Sequence, residues 1–270
     1  MSAQNSTNNI HPTAVVDPAC RLGNNVTVGP YTVLGPHVEV GDNCWLGPHV
    51  VIDGKTTIGA NCQIFQFSSI GAAPQDITYK GELTSVEIGE STIIRESVTI
   101  HRGTPKGGGL TKVGKQCMIM AYCHIAHDCK LGDGVIMANV ATLGGHVEIG
   151  DHAVIGGLSA IHQFCHIGKY AFLGGMSGAN KDIPPFVKYQ GQRSNLHGIN
   201  VLGLRRAGFS KETIEMLREA YRIVFKKAAT ITEGLDLADA AFPDSPEVKE
   251  FTDFIRNSKR GVPAGEWNQD

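Results

Sequence analysis

Apolar residues recur along this chain at intervals of six: Val16, Leu22, Val28, Leu34, Val40, Leu46, Ile52, Ile58, Ile64 and Ile70, with Ile10 as a frayed first member. Glycine follows many of them, as in Leu22-Gly23, Leu34-Gly35, Leu46-Gly47 and Ile58-Gly59. The series resumes with Ile88, Ile94 and Ile100. It starts again at Val113 and runs through Ile119, Ile125, Leu131, Met137, Leu143, Ile149, Ile155, Ile161 and Ile167 to Leu173. A helix would rotate residues six apart off any single face, whereas short strands separated by turns keep them aligned. The pattern therefore predicts strand-turn units. Two positions before each apolar residue the choice narrows to Ala, Val, Thr, Ser or Cys, which suits the tight inner corner of a stacked coil.

Two segments break the period. Between Gly71 and Val86 the expected apolar positions fall on Asp76 and Glu82, and from His101 to Lys112 "HRGTPKGGGLTK" shifts the phase. Loops of this kind in a compact repeat point to function. After Leu173 the hexads stop, and "KDIPPFVKYQGQ" reads as an exit segment because adjacent prolines cannot continue a ladder. Beyond it the period becomes helical. Ser210 is an N-cap for a helix burying Ile214, Leu217, Tyr221, Ile223, Val224 and Phe225. Ser245 with Pro246 starts another, with Gly261 near its end. The expected organisation is a β-helix over residues 1–190, with loops at about 72–87 and 101–112, and an α-helical domain over 191–270.

Composition changes this picture at two points. Glycine makes up 33 of 270 residues without collagen's period, as a turn in every unit requires. All seven cysteines lie two before a repeat residue, so they read as small interior hydrophobes rather than metal ligands or disulfides. The net charge of −2 leaves no footprint for nucleic acid, and no apolar run is long enough for membrane insertion. The polar N-terminus carries no targeting pattern, and a cytoplasmic protein is expected.

The apolar-Gly-x-x-x-x units resemble the left-handed parallel β-helix of the hexapeptide acyltransferase superfamily, in which three units make one triangular coil. Residues 18 apart would then stack about 4.8 Å apart, giving about nine coils from Val16 to Leu173. On that reading Ile125, Leu143 and Ile161 stack on one face, which gathers His124, His127, His146 and His162. Asp128 directly follows His127. A metal site would need three converging imidazoles or added cysteines, and the cysteines point inward. A general base fits instead: a neutral histidine takes a hydroxyl proton when a neighbour orients its ring. A backbone N–H in "LGGHVEIG" could receive an oxyanion.

The segments "ESVTIHRGT", "GGGLTKVG", "CHIAHDC", "GGHVEIGD", "IHQFCHIG" and "INVLGLRRAGFS", in this order, resemble the acyl-[acyl-carrier-protein]:UDP-N-acetylglucosamine O-acyltransferases that open lipid A biosynthesis. The resemblance implies transfer of a 3-hydroxyacyl group from acyl carrier protein to the sugar 3-hydroxyl of UDP-N-acetylglucosamine, with no metal, cofactor or acyl-enzyme. It implies His127 as base, Asp128 as its orienting partner and the Gly145 N–H as oxyanion hole. Asp76, His124, His146 and Gln163 would line the sugar and acyl groove, with His162 near the nucleotide, Asn200 and Arg206 on the uridine diphosphate, and Gly175 limiting chain length. Lacking a side chain, Gly175 points to a longer, 3-hydroxymyristoyl-like chain. The family is a homotrimer with sites between prisms.

Three positions depart from the family. Thr78 stands where many members carry lysine, with Lys80 nearby. Leu202 replaces a frequent glutamate, and Ala207 stands where a second basic residue is expected. Alternatives are the same transfer to a 3-amino sugar, a zinc-dependent γ-type carbonic anhydrase and a non-catalytic scaffold. The pathway's later N-acyltransferase carries an extra domain before its repeats, whereas here the hexads begin by Val16.

Overall fold

The computed structural model describes residues 8–192 and 195–265. Its strands, mostly two residues long, form three parallel sheets that make the sides of a triangular prism, wound left-handed. Residues 18 apart pair in register, as Thr27 with Trp45, Val33 with Val51 and Arg21 with Glu39. Past the frayed first strand, whose Ile10 is exposed, the repeat residues point inward: Leu46, Ile52, Ile64, Ile125 and Leu143 are fully buried.

The restricted position two residues earlier does more than fill space. Thr32 Oγ1 donates to the Gly47 carbonyl at 2.6 Å, Ser68 Oγ to Arg95 O at 2.8 Å and Thr92 Oγ1 to Gly114 O at 2.9 Å. Cysteine thiols make the equivalent bond, Cys44 to Gly59 O and Cys129 to Gly144 O, each at 3.1 Å. The inner corner leaves a turn carbonyl facing the interior, so the residue there must be small and preferably a donor, which a thiol is.

At the corners many side-chain-bearing residues adopt left-handed backbone, among them Asn43 (φ 58°), His49 (φ 55°), Asp128 (φ 60°) and His146 (φ 62°). Such conformations cost energy individually, and stacking along each edge offsets it. Asn25, Asn43 and Asn61 form an amide ladder at 3.2 and 3.3 Å, while Tyr31, His49 and Phe67 stack at 5.0 and 5.3 Å between ring centroids. Further along the latter edge Tyr122, Val140, Leu158 and Met176 stand exposed, forming an apolar column.

The ladder does not stop at Leu173. Gly178–Ala179 pairs with Ala160–Ile161, and Val187–Tyr189 pairs in parallel with Phe172–Leu173. Pro184 and Pro185 fall between an Ile167–Ile183 bridge and that last strand, at a turn, where no ladder N–H is required. Leu196–Ile199 then turns back antiparallel to Val187–Tyr189. The loops are slightly shorter than their sequence bounds, because strands resume at Ser85–Ile88 and Leu110–Val113.

Four helices follow: α1 (Val201–Arg206), α2 (Lys211–Arg222), α3 (Ile231–Ala241) and α4 (Pro246–Asn257). Ser210 caps α2 through the Thr213 N–H, and Ser245 caps α4 through the Val248 N–H, as the sequence predicts. α2 passes into a wider turn over Ile223–Lys227, which leaves Ile223 and Phe225 half-buried. Gly261 (φ 69°) lies beyond α4, whose C-cap is Ser258, so it does not end the helix. α1 and α3 escape the apolar-period reading, being short or weakly patterned. Tyr221 Oη to Leu196 O at 2.9 Å and Ser258 Oγ to Asp182 Oδ2 at 2.6 Å fasten the helices to the prism.

Candidate active site

The 18-residue register assembles the site. His127, Gly145 and Gln163 stack in one column, and Asp128, His146 and Phe164 occupy the next, at a corner of the prism. His127 Nδ1 lies 2.8 Å from Asp128 Oδ2. Adjacent residues face each other in this way because Asp128 has left-handed backbone. The carboxylate is buried and held from three sides: the Thr104 N–H reaches Oδ1 at 2.9 Å, the Thr104 hydroxyl reaches Oδ2 at 2.7 Å, and His127 completes the set. Thr111 Oγ1 accepts the Asp128 N–H at 2.8 Å.

The 101–112 loop therefore has a definite task. Thr104 caps the turn Pro105–Gly107, and Gly107 packs so closely on the Asp128 carboxyl that a Cβ would overlap it. His127 Nδ1 faces Asp128, and its Nε2 makes no hydrogen bond among the described residues. A Cβ on Gly145 would lie 2.8 Å from that nitrogen. The coil's turn leaves the Gly145 N–H without an acceptor among the described residues, so an unpartnered donor sits beside the His127 ring.

Other histidines surround this pair. His146 stacks on Phe164 at 4.4 Å and meets His127 edge-on at 5.1 Å. Burial holds its pKa below the ordinary imidazole value, helped by His127 and opposed by Asp128 and Asp76. His124 Nδ1 bonds Thr99 Oγ1 at 2.7 Å and packs edge-on against His101 at 4.9 Å. Burial, then His127, lowers His124 too. His101 is buried with an unpartnered Nδ1, and burial with its neighbours His124 and His127 pushes its pKa down to about 4. Burial thus disfavours the charged form of all three rings.

Asp76 belongs to the same neighbourhood through the first loop. Bonds from the Thr78 N–H and hydroxyl hold its carboxyl below the usual range, with smaller help from His127 and Lys106. Lys80 reaches Glu82 Oε2 through its backbone N–H at 2.8 Å, and the ammonium that meets Thr78 Oγ1 is that of Lys106, at 3.2 Å.

His127, Asp128 and His146 also have the composition of a metal cluster. Asp128 Oδ2 and His127 Nδ1 are bonded to each other, however, and Thr104 engages both carboxylate oxygens.

The remaining sequence-predicted residues do not join this centre within one chain. His162 bonds its neighbour's carbonyl, Gln163 O, at 3.0 Å and meets Arg260 at 3.3 Å. Gly175 lies at an exposed turn, where a Cβ would meet only backbone of Gly157. Asn200 and Arg206 line a cavity of about 790 Å³ on a different side, with His152, Tyr170, Leu202 and Ala207. Asn200 is also the N-cap of α1, accepting from the Gly203 N–H at 3.1 Å and donating to Tyr170 O at 3.0 Å. Arg205 and Arg218 line the same cavity and supply the positive charge that Ala207 lacks.

Sequence reading misses Thr104, Thr111, Thr99, His101 and Phe164. Phe164 was accessible from the 18-residue spacing to His146, but the threonines on the phase-shifting loop carry no periodic signal.

The triangular prism of stacked six-residue units places the chain among the hexapeptide-repeat transferases. A family model for six-repeat bacterial transferase hexapeptides matches residues 37–72 and 110–145, and one described as UDP N-acetylglucosamine O-acyltransferase, domain 2, matches 182–263. An acyl-[acyl-carrier-protein]–UDP-N-acetylglucosamine O-acyltransferase from Thermodesulfovibrio yellowstonii is 50% identical, over 94% of this chain and 99% of that one. Its counterpart from Halorhodospira halophila is 49% identical, over 94% and 98%. The crystal structure of UDP-N-acetylglucosamine O-acyltransferase from Moraxella catarrhalis superposes with a TM-score of 0.91 at 43% identity, covering 94% of this chain and 99% of that one. The chain belongs to the acyl-[acyl-carrier-protein]–UDP-N-acetylglucosamine O-acyltransferase family.

Proposed function

We propose that this enzyme transfers a (3R)-3-hydroxyacyl group from acyl carrier protein to the 3-hydroxyl of UDP-N-acetylglucosamine, the first step of lipid A biosynthesis. His127 Nε2 takes the hydroxyl proton as the sugar oxygen attacks the thioester carbonyl. The Gly145 N–H holds the resulting oxyanion, and Asp128 keeps the ring oriented. Collapse breaks the C–S bond, and the proton returns from His127 to the departing thiolate. The 2.8 Å bond between His127 Nδ1 and Asp128 Oδ2, with Gly145 against the same ring, carries this reading.

Asp76, His124, His146 and Gln163 line the groove for sugar and acyl chain, and Gly175 leaves room for a long chain. Asn200 and Arg206, with Arg205, bind the uridine diphosphate, guanidinium groups suiting phosphate. Because that cavity and the His127 centre lie on different sides of one prism, a complete site draws on two chains, and the exposed column Tyr122, Val140, Leu158 and Met176 supports a homotrimer. Residues up to about 190 act as the catalytic β-helix and the rest as a helical domain; positions 1–7 and 266–270 lie outside the described residues. No described helix is long and apolar enough to cross a membrane, in keeping with a cytoplasmic setting for these substrates.

The test is ester formation from 3-hydroxyacyl carrier proteins of several chain lengths, comparing the native chain with His127→Ala. The native chain forms the ester, and His127→Ala loses at least about a hundredfold in rate. Equal rates remove the base, and product only with a 3-amino sugar changes the acceptor.

A further inference from the structure

The two loops that interrupt the repeat meet at one hydrogen bond. Lys106, inside the turn Pro105–Gly107, donates from Nζ to Thr78 Oγ1 at 3.2 Å. Thr78 passes the contact on, giving its hydroxyl at 2.9 Å and its N–H at 2.7 Å to Asp76 Oδ1. A hydroxyl has one proton to give and lone pairs to accept with, so ammonium, hydroxyl and carboxylate form a consistent chain.

The backbone beneath Lys106 is fastened in the opposite direction. Thr104, two residues earlier, holds both oxygens of Asp128, and Gly107, one residue later, lies directly on that carboxyl. Lys106 thus stands between the two carboxylates of the centre: its main chain is fixed to the partner of His127, and its side chain is bound to the loop of Asp76. The other cations of these loops are directed elsewhere. Arg102 bonds Tyr79 Oη at 3.0 Å and Gly71 O at 2.8 Å, and among the described residues the Lys80 ammonium makes no hydrogen bond to Thr78 or Asp76. Lys106 and Thr78 are both exposed, so nothing in the core depends on their bond.

We propose that Lys106 is a positioning residue for the acyl transfer proposed above: through Thr78 it holds Asp76 over the His127 groove and so sets acceptor-sugar binding rather than the proton-transfer step. The chain Lys106–Thr78–Asp76 replaces a free loop carboxylate with one whose distance from His127 is fixed by the same turn that fixes Asp128.

Lys106→Gln keeps a hydrogen-bonding side chain, one atom shorter, and removes the charge. It raises KM for UDP-N-acetylglucosamine about tenfold and leaves kcat within about twofold, the signature of lost binding rather than lost chemistry. Because Nζ lies beside the residue 78 side chain, the double variant Lys106→Gln with Thr78→Lys returns an ammonium to the same space from the other loop and recovers most of the KM. Unfolding midpoints stay at the native value in both. An unchanged KM in Lys106→Gln, a fall in kcat alone, or no recovery in the double variant each overturns the proposal. Calorimetric binding of UDP-N-acetylglucosamine to the native chain and Lys106→Gln, without acyl donor, separates this outcome from failure of the reaction itself. A native chain that binds the sugar nucleotide more tightly than the variant supports Lys106 even if no ester forms.

Discussion

Gly145 lies so close to the imidazole of His127 that a Cβ on it would fall 2.5 Å from Cε1. Its backbone is not left-handed, so close approach, rather than conformational freedom, is what calls for glycine there. The contact places the Gly145 N–H beside the base without any side chain intervening. Gly145→Ala displaces the ring or the turn, and kcat/KM falls about a hundredfold, the loss expected from a displacement of about 1 Å at a reacting group. The unfolding midpoint and the initial rate, measured on the same preparation, separate this from misfolding.

Thr104 is the residue that makes Asp128 usable. Thr104→Val keeps the shape and removes the hydroxyl that reaches Oδ2 at 2.7 Å. A buried carboxylate then lacks one donor, which costs about 1–3 kcal/mol of stability. With the carboxylate less fixed, kcat falls about tenfold or more, and KM changes little. Thr104→Ser restores both. Denaturant unfolding and steady-state kinetics measure the two effects together.

His101 gives stability an acid limb. Its folded-state pKa is lowered by burial to about 4, against an ordinary value of 6.5. Between those values the unfolded chain binds a proton that the folded chain refuses, so stability falls as pH drops from about 6.5 towards 4 and is constant in this respect above that window. His124 and His146, lowered mainly by burial, act in the same direction. Unfolding free energy measured against pH shows this slope, and His101→Leu, which removes the unpartnered Nδ1, makes it shallower.

Arg206 lines the separate cavity with Arg205 and Arg218. Arg206→Ala raises KM for UDP-N-acetylglucosamine about tenfold with kcat nearly unchanged, as loss of one charged contact to a phosphate implies. Arg205→Ala produces a similar shift, because the two guanidiniums share the cavity. A kcat loss without a KM change would place the diphosphate elsewhere.

The spacing of six made the prism readable, because every rung repeats one demand: an aliphatic residue inside, with a small residue two positions before it. The same spacing brings His127 over Gly145 and Asp128 over His146, so the heart of the site is visible once residues 18 apart are laid together. Thr104 and Lys106 were not visible, since a loop outside the period has no register from which to infer its neighbours. Nor did the prolines at 184 and 185 end the ladder, because they fall at a turn where their missing N–H is not needed. The inner thiols were recognised as filler, while their bonds to turn carbonyls depend on an orientation that only the folded coil shows.

The rung-by-rung pairing also makes the length of this protein an adjustable quantity. Each of the first coils touches only the coil before and the coil after, so stability there accumulates by nearest-neighbour increments along one axis. Removing one whole coil between Val16 and Leu46 would shorten the prism while leaving the distances around His127 untouched, whereas removing the coil from Asp128 to Gly145 would erase the carboxylate bonded to His127 and the glycine packed on its ring in one cut. The chain thus contains a stretch open to growth and deletion and a stretch closed to both, divided by the loop that carries Asp76.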